Sequence, residues 1–331
     1  MPSFALLLAA LAAPGPPELG FEAVAPQHGA DAAFVYKTAE DAKAGGTVDL
    51  KLHLFLPEGT GERPTDAARP AVVFYFGGGW RGGSAAHFAG QAKHLAERGM
   101  VAAVAEYRTN RQHGTSPVEC VQDARAALHA LRSRAEQYGV DPSRVAAGGG
   151  SAGGHLAACC GVIASFPGDP GGFETADALA LFNPGVICAP YTAPDGAQAT
   201  LDGWMAGLLP KGGDERLSPI HHVDAGDPPT IVFHGEQDTT VPARSVELFC
   251  EALRRDGVRA ELALFPGAVH GFFNKGRGDD RAYRTTLRLT DAFFTSLGWL
   301  PEPAPAADAG GTNGGEAKYT LTGAPPAEPA D

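Results

Sequence analysis

The chain has 331 residues, of which 44% are hydrophobic and 19% charged, enough apolar sequence for one large domain or two small ones. Its formal net charge is −12 and no basic run occurs, a balance that disfavours binding to nucleic acid or to an anionic membrane. The five cysteines lack metal-type spacing, so we expect buried free thiols, although one disulfide could form if the protein is exported.

The first twenty residues have the pattern of a secretory signal. Phe4 to Ala13 form an apolar stretch, Ala10-Leu11-Ala12 offers a cleavage site of small residues, and prolines follow. The stretch is too short to span a membrane. We therefore interpret residues 1–20 as a signal segment and expect a secreted or periplasmic protein. A cytoplasmic location remains the alternative, because no Lys or Arg precedes the apolar stretch.

Residues 21–300 alternate predicted strands with predicted helices. A hairpin at a sheet edge is predicted first, and buried strands and helices follow it. The predicted strands are Phe34–Lys37, Val48–Leu56, Ala71–Phe76, Val101–Ala105, Arg144–Gly148, Ala178–Phe182, Thr230–Phe233 and Ala260–Phe265. The predicted helices are Ala86–Arg98, Pro117–Tyr138, Ala152–Ala164, Val241–Arg255 and Asp280–Leu297. This order indicates an α/β domain with a mainly parallel, doubly wound sheet and helices on both faces, whose site lies at the C-terminal ends of strands.

Two segments fall outside the alternation. Residues 183–226 show no strong periodicity, and because so long an irregular segment is usually functional, we expect loops and short helices over the site. Whether they form a lid is left open. Residues 301–331 are rich in Ala, Pro and Gly and predict a disordered tail.

A reactive serine is predicted at the turn Gly149-Gly150-Ser151-Ala152-Gly153, which matches G-x-S-x-G between a strand and a helix. Side chains two residues before and after the serine would collide with the strand or the helix, and the two outer glycines have none. The turn exposes the Ser151 hydroxyl at a helix N-terminus. There the Ala152 amide and the helix dipole face any developing negative charge.

A nucleophilic serine needs a base that is itself oriented by a third group, and in this arrangement an acid and then a histidine follow it. Asp238 follows the strand that ends at Phe233, and His270 follows the last strand. Glu236 is the alternative acid. Two further histidines are interpreted structurally: His155 as a capping or packing residue and His234 as a residue that packs or bonds to loop backbone. The pair His221-His222 could bind metal, but no Cys, Asp or Glu stands at ligand spacing, so a solvated or loop-packing pair is favoured.

A glycine run, Gly77-Gly78-Gly79, directly follows the buried strand that ends at Phe76. Acyl hydrolysis needs hydrogen-bond donors where the carbonyl oxygen becomes an anion. Adjacent glycine amides can point inward without steric cost, so we predict an oxyanion hole formed by the amides of Gly78, Gly79 and Ala152.

Over about residues 34–298 these motifs together resemble the α/β-hydrolase fold, and within it the esterase/lipase group whose oxyanion loop reads H-G-G-G. That group includes hormone-sensitive-lipase-like esterases and small esterases that remove acetyl or feruloyl groups from carbohydrate. The resemblance implies a serine carboxylic-ester hydrolase without metal or organic cofactor. Phe76 stands where the group has histidine, which leaves the support of the loop open.

The substrate expected from the sequence is an ester of a small acyl group, on a small molecule or on carbohydrate, with acetyl on carbohydrate as the first hypothesis. A generalist for short esters is equally compatible. Trp80 and Trp204 could line the substrate pocket or pack in the core. Two other functions stay open. One is an exopeptidase of the prolyl-oligopeptidase type, although only about 70 residues precede the first buried strand. The other is a non-catalytic binding module, which the complete set of three residues argues against.

The signal interpretation predicts that mature protein from the native host begins near Ala13, after the small residues of the cleavage site. Mass spectrometry of the purified protein measures this directly. An intact Met1 on a soluble intracellular protein would contradict the interpretation.

Overall fold

The computed structural model describes residues 23–58, 68–199, 207–302 and 317–323. Within these ranges, no helix combines the length and the apolar character needed to cross a bilayer. The predicted signal segment and Trp204 lie outside the described residues.

The strands form one large sheet and one small hairpin. The strands of the large sheet are β1 (Ala32–Glu40), β2 (Thr47–Phe55), β3 (Arg69–Tyr75), β4 (Val101–Ala105), β5 (Val140–Gly150), β6 (Leu179–Phe182), β9 (Thr230–Gly235), β10 (Ala260–Phe265) and β11 (Thr320–Thr322), and those of the hairpin are β7 (Tyr191–Thr192) and β8 (Gln198–Ala199). The order across the large sheet is β1-β2-β4-β3-β5-β6-β9-β10-β11. The six strands from β4 to β10 in this order pair in parallel, and β1, β2 and β11 add antiparallel edges.

The helices largely follow the predicted apolar periodicity. They are α1 (Ala89–Arg98), α2 (Asn110–His113), α3 (Pro117–Ser133), α4 (Ala135–Tyr138), α5 (Ala152–Val162), α6 (Ala243–Arg255) and α7 (Arg281–Ser296). A 3₁₀ turn, Ala85–Phe88, occupies the predicted start of α1. The single helix predicted over Pro117–Tyr138 is divided at Arg134, where φ is −108° and ψ is 19°.

The core lies on both faces of the sheet. Every residue of β4, β6 and β9 is buried, as expected for strands that are covered by helices on both sides. Helix α1 contacts α7 and helix α3 contacts α5. All five cysteines are buried free thiols, as expected. The predicted mainly parallel, doubly wound α/β architecture is confirmed.

The parallel strands place the predicted site residues at one edge of the sheet. Ser151 directly follows β5, Asp238 follows β9, and His270 follows β10. Because parallel strands have their C-terminal ends at the same edge, residues far apart in sequence meet there.

The expectation of a disordered tail over residues 301–331 is wrong for residues 320–322. Thr320–Thr322 form β11, which pairs antiparallel with β10, with Leu262 opposite Thr322. A bare edge strand has unpaired amides and carbonyls, and Thr-Leu-Thr has high strand propensity, so this short segment adds to the edge. The Arg254 guanidinium donates to the Thr322 carbonyl at 3.0 Å. The overall composition of residues 301–331 did not indicate this short strand, because Ala, Pro and Gly predominate around it.

Candidate active site

The serine turn has the geometry that its glycines predict. Ser151 links β5 to α5 with φ 55° and ψ −120°, a backbone conformation that L-residues seldom adopt outside functional sites. A Cβ on Gly153 would lie 2.1 Å from the carbonyl oxygen of Tyr75, and one on Gly149 would lie 2.4 Å from the carbonyl oxygen of Gly153. Only glycine fits at either position.

The structure brings Ser151, His270 and Asp238 together in one hydrogen-bonded line. Ser151 Oγ lies 2.8 Å from His270 Nε2. On the other side of the ring, His270 Nδ1 lies 2.7 Å from Asp238 Oδ2. In this order the carboxylate orients the imidazole, and the imidazole can take the proton of the hydroxyl. The alternative acid, Glu236, is exposed, and no bond from its side chain to His270 is found among the described residues.

The Asp238 carboxylate is held in its ionised form. Burial alone would raise its pKa, but hydrogen bonds from His270 and from the Val241 amide, together with the charges around it, lower the pKa below its ordinary value. Asp238 Oδ1 accepts from the amides of Thr240 at 2.8 Å and of Val241 at 2.9 Å. The carboxylate is therefore negative at any pH at which a histidine exchanges its proton.

A second imidazole, that of His234, lies 3.6 Å from Asp238 Oδ2. Burial lowers the pKa of His234, so this ring stays neutral. Its Nε2 donates to the Val241 carbonyl at 2.8 Å, the loop-backbone role predicted for it. Because His234 carries no charge, the negative charge of Asp238 acts on His270.

The glycine loop lies beside the serine turn. A Cβ on Gly77 would lie 3.3 Å from the Cβ of Ser151. Gly78 and Gly79 have φ of 134° and 61°, which turn the chain sharply after β3. Among the described residues, the amides of Gly78 and Gly79 have no protein acceptor, which leaves them available to an oxyanion. The Ala152 amide is at the N-terminus of α5, next to Ser151.

Phe76 supports the loop by stacking instead of by a histidine hydrogen bond. Its ring is stacked on that of Tyr107, with centroids 4.0 Å apart and an interplanar angle of 15°. The Tyr107 hydroxyl donates to the Phe76 carbonyl at 2.8 Å. Beyond the glycines, the Asn110 amide donates to the Trp80 carbonyl at 2.8 Å. The backbone of the loop is thus held at both ends.

Trp80 does not line the cleft, so the suggestion of a substrate-binding face is wrong for this residue. Its side chain is fully buried and meets the His155 ring edge-on, with centroids 4.9 Å apart. The indole fills the space between the glycine loop and α5, so packing decides its position. His155 donates from Nε2 to the Leu217 carbonyl at 2.6 Å, and burial lowers its pKa to about 4.

A cleft of about 320 Å³ opens at the serine. Besides Ser151, His270 and the glycine loop, its lining consists of His87, Phe88, Gly150, Asn183, Thr240, Gly271, Phe273, Asn274 and Arg277. Of the described part of residues 183–226, only Asn183 lines the cleft; the rest forms the β7–β8 hairpin, 3₁₀ turns and loops. In these loops, the His221 ring hydrogen-bonds with the Ser218 hydroxyl and the Pro190 carbonyl, and the His222 ring hydrogen-bonds with the Glu215 carbonyl.

Sequence reasoning did not identify Asn183 and Arg277 as lining residues. Asn183 directly follows the predicted strand Ala178–Phe182, so the rule that found Asp238 and His270, a polar residue at the end of a parallel strand, also applies to it. Arg277 lies in the irregular loop before α7 and carries no comparable signal.

Two families match the chain in overlapping stretches. Residues 52–200 match the family described as BD-FAE, and residues 185–297 match the dienelactone hydrolase family. The first stretch contains the glycine loop and Ser151, and the second contains Asp238 and His270.

One similar protein of known structure is an esterase. The chain is 40% identical to a thermophilic esterase from the planctomycete Thermogutta terrifontis, Est2, solved with propionate bound; the TM-score is 0.72 and the match covers 84% of this chain and 98% of that one. The same esterase phosphonylated by sarin matches at 39% identity and a TM-score of 0.72, over 87% of this chain and 99% of that one.

Curated relatives are longer proteins. The probable carboxylic ester hydrolase LipM of Mycobacterium tuberculosis is 30% identical over 72% of this chain and 58% of its own length. The probable isoprenylcysteine alpha-carbonyl methylesterase ICMEL1 of Arabidopsis thaliana is 27% identical over 66% of this chain and 48% of its own length. The chain thus spans about half the length of the curated relatives that it matches.

The geometry at Asp238 predicts that Asp238→Asn lowers kcat for ester hydrolysis on the order of ten-thousandfold, because an amide holds the wrong tautomer of His270. Glu236→Gln is the matched control and should change kcat less than about twofold, since that side chain is exposed. Steady-state kinetics on one soluble ester compares the two variants. The reverse ranking would transfer the acid role to Glu236.

Proposed function

Because the chain belongs to the esterases of the α/β-hydrolase fold, we propose that it is a serine carboxylic-ester hydrolase that acts on short acyl esters. The observation that carries the proposal is the hydrogen-bonded line of Ser151, His270 and Asp238 beside a loop of glycine amides. A nucleophile, a base, an orienting acid and oxyanion donors are the groups that acyl transfer to water requires.

In the proposed reaction, Ser151 Oγ attacks the ester carbonyl carbon while His270 Nε2 takes the hydroxyl proton. The carbonyl oxygen becomes an anion, and the amides of Gly78, Gly79 and Ala152 donate hydrogen bonds to it. His270 then protonates the departing alkoxide, and the carbon–oxygen bond to the alcohol breaks, which leaves an acyl-serine. A water molecule, deprotonated by the same imidazole, attacks the acyl carbon. The bond from that carbon to Ser151 Oγ then breaks, Oγ takes the proton back from His270, and the acid is released.

Asp238 contributes in two ways. Its carboxylate accepts from His270 Nδ1, which leaves the lone pair of Nε2 directed at Ser151 Oγ. Its negative charge also stabilises the imidazolium that forms while the proton resides on His270. The low pKa of Asp238 supports this role, because a protonated carboxyl could not stabilise the cation.

The size of the cleft supports a short acyl group. Its volume of about 320 Å³ is near the lower end of small-molecule sites, which run from about 300 to 1,000 Å³. Phe88 and Phe273, both buried, have ring centroids 5.8 Å apart and form its apolar wall. The propionate-bound and butyrate-bound structures of the similar Thermogutta esterase support the same range of chain lengths.

Within this class we propose an acetyl group on carbohydrate as the natural substrate. The cleft presents hydrogen-bonding side chains from Thr240, Asn274 and His87, which suit sugar hydroxyls, and the chain has a net charge of −12, which suits a neutral polysaccharide. Export by residues 1–20 would bring the enzyme to such a substrate.

The nucleophile assignment predicts that paraoxon leaves a diethylphosphoryl adduct on Ser151, as a phosphorylated state is known for the similar Thermogutta esterase. Ser151→Ala should lose the adduct and at least about a thousandfold in kcat, because the attacking oxygen is gone. Peptide mass spectrometry locates the adduct, and thermal unfolding checks that the variant is folded. The assignment fails if the folded variant keeps the adduct or more than about a thousandth of the activity.

The substrate proposal predicts that kcat/KM for p-nitrophenyl esters is highest between acetate and butyrate and declines toward palmitate, because a long chain finds no enclosed apolar surface. Acetylated xylan should release acetate in a parallel assay. A maximum at eight carbons or more would refute the short-acyl class. Hydrolysis of short aryl esters without acetate release from xylan would leave only a generalist esterase.

A further inference from the structure

Asn183 lies between the segment that carries the serine and the segment that carries the histidine. It directly follows β6, is fully buried and lines the cleft. The neighbouring Phe182 carbonyl accepts from the amide of Ser151 at 2.9 Å. On the opposite side, Asn183 Oδ1 accepts from the amide of Gly271 at 2.8 Å. Two adjacent residues at the end of one strand thus hold both partners of the Ser151–His270 pair.

The bond to Gly271 constrains the histidine directly. Gly271 has φ 75°. It directly follows His270, so its amide belongs to the peptide plane that joins the two residues. Fixing that plane fixes the direction of the His270 backbone and, with it, the position from which the imidazole reaches Ser151. His270 and Ser151 come from different strand ends, and no local turn sets the 2.8 Å between Nε2 and Oγ.

The backbone of Asn183 is itself held in an uncommon conformation. Its φ is 37°, in the left-handed region where asparagine is the most tolerated side chain after glycine. Its amide donates to the Phe233 carbonyl at 2.7 Å, which anchors it to the neighbouring strand β9. The anchor fixes the Asn183 backbone beside the histidine loop, and the bond from the Gly271 amide shows that the side chain points toward that loop.

The side chain is not explained by packing alone. Its Nδ2 is buried and has no hydrogen-bond partner among the described residues. Burial of an unpaired amide donor is unfavourable, so packing alone does not favour an asparagine here, and a catalytic role is one explanation for such a group. An apolar residue would avoid this cost but could not accept from Gly271.

We propose that Asn183 is a positioning residue, which holds His270 within reach of Ser151 through the Gly271 amide. This role rests on the proposed ester hydrolysis, because Asn183 would contribute to kcat of that reaction. Asn183 acts on the imidazole and not on the ester, so its removal lowers kcat while substrate binding stays nearly the same.

The test compares three variants in steady-state kinetics on p-nitrophenyl acetate, together with thermal unfolding. Asn183→Gly keeps the backbone freedom that φ 37° requires and deletes the acceptor. We expect kcat to fall about tenfold or more, with KM within about twofold of wild type, because a misplaced base slows chemistry without weakening binding. Asn183→Asp keeps an acceptor for Gly271 and should recover most of the lost kcat.

Ser218→Ala is the matched control. The Ser218 side chain is also fully buried, and its Oγ also accepts a backbone amide, that of Cys188 at 2.9 Å, but it does not line the cleft. We expect its kcat to stay within about twofold of wild type, whatever its melting temperature. The proposal is overturned if Asn183→Gly keeps the wild-type kcat, if Asn183→Asp is as impaired as Asn183→Gly, or if Ser218→Ala loses as much.

The two proposals fail in different ways. Wild-type protein that neither hydrolyses esters nor forms the paraoxon adduct would refute the proposed function. An active wild type with an equally active Asn183→Gly variant would refute the positioning role alone.

Discussion

The candidate site depends first on a close backbone contact between the serine turn and strand β3. Gly153 and Gly149 approach the carbonyl oxygen of Tyr75 so closely that a Cβ would lie 2.1 Å and 2.7 Å from it. Since Tyr75 ends β3, the chain that follows it is carried directly past Ser151, and Gly77 lies against the turn. One contact made by backbone alone therefore places the proposed nucleophile and the proposed oxyanion loop relative to each other. A side chain at either glycine would disturb both at once.

Burial controls which groups of the site carry charge. Asp238 has two imidazoles near it, and only the one that contacts Ser151 is partly exposed. A protonated His234 would neutralise the carboxylate and weaken its effect on His270. Because burial lowers the pKa of His234, that ring stays neutral and serves only as a donor to the loop backbone. The site thus holds two similar side chains with different roles, which their surroundings decide.

The proposed oxyanion loop can carry Phe76 where the H-G-G-G pattern has histidine, because its proposed function rests on backbone amides. What matters for Gly78 and Gly79 is that the peptide planes are held in place. Phe76 meets this need through its stacked ring and through the hydroxyl of Tyr107 on its carbonyl. Trp80 meets it at the other end by packing on His155. Packing and hydrogen bonding by the interior side chains of Phe76, Tyr107, Trp80 and His155 thus hold the loop without a histidine at position 76.

Three features could be predicted from the sequence because short-range geometry encodes them: the serine turn, the alternation of strands and helices, and the acid and histidine after particular strands. Parallel strands bring such positions to one edge whatever the side chains between them. Other features depend on segments that meet only in the folded chain. Trp80 is buried because α5 covers it, Thr320–Thr322 become a strand because β10 offers an unpaired edge, and Asn183 reaches Gly271, which lies 88 residues away in sequence. Burial and long-range hydrogen bonds depend on two segments at once, so they cannot be predicted from the local sequence of either segment alone.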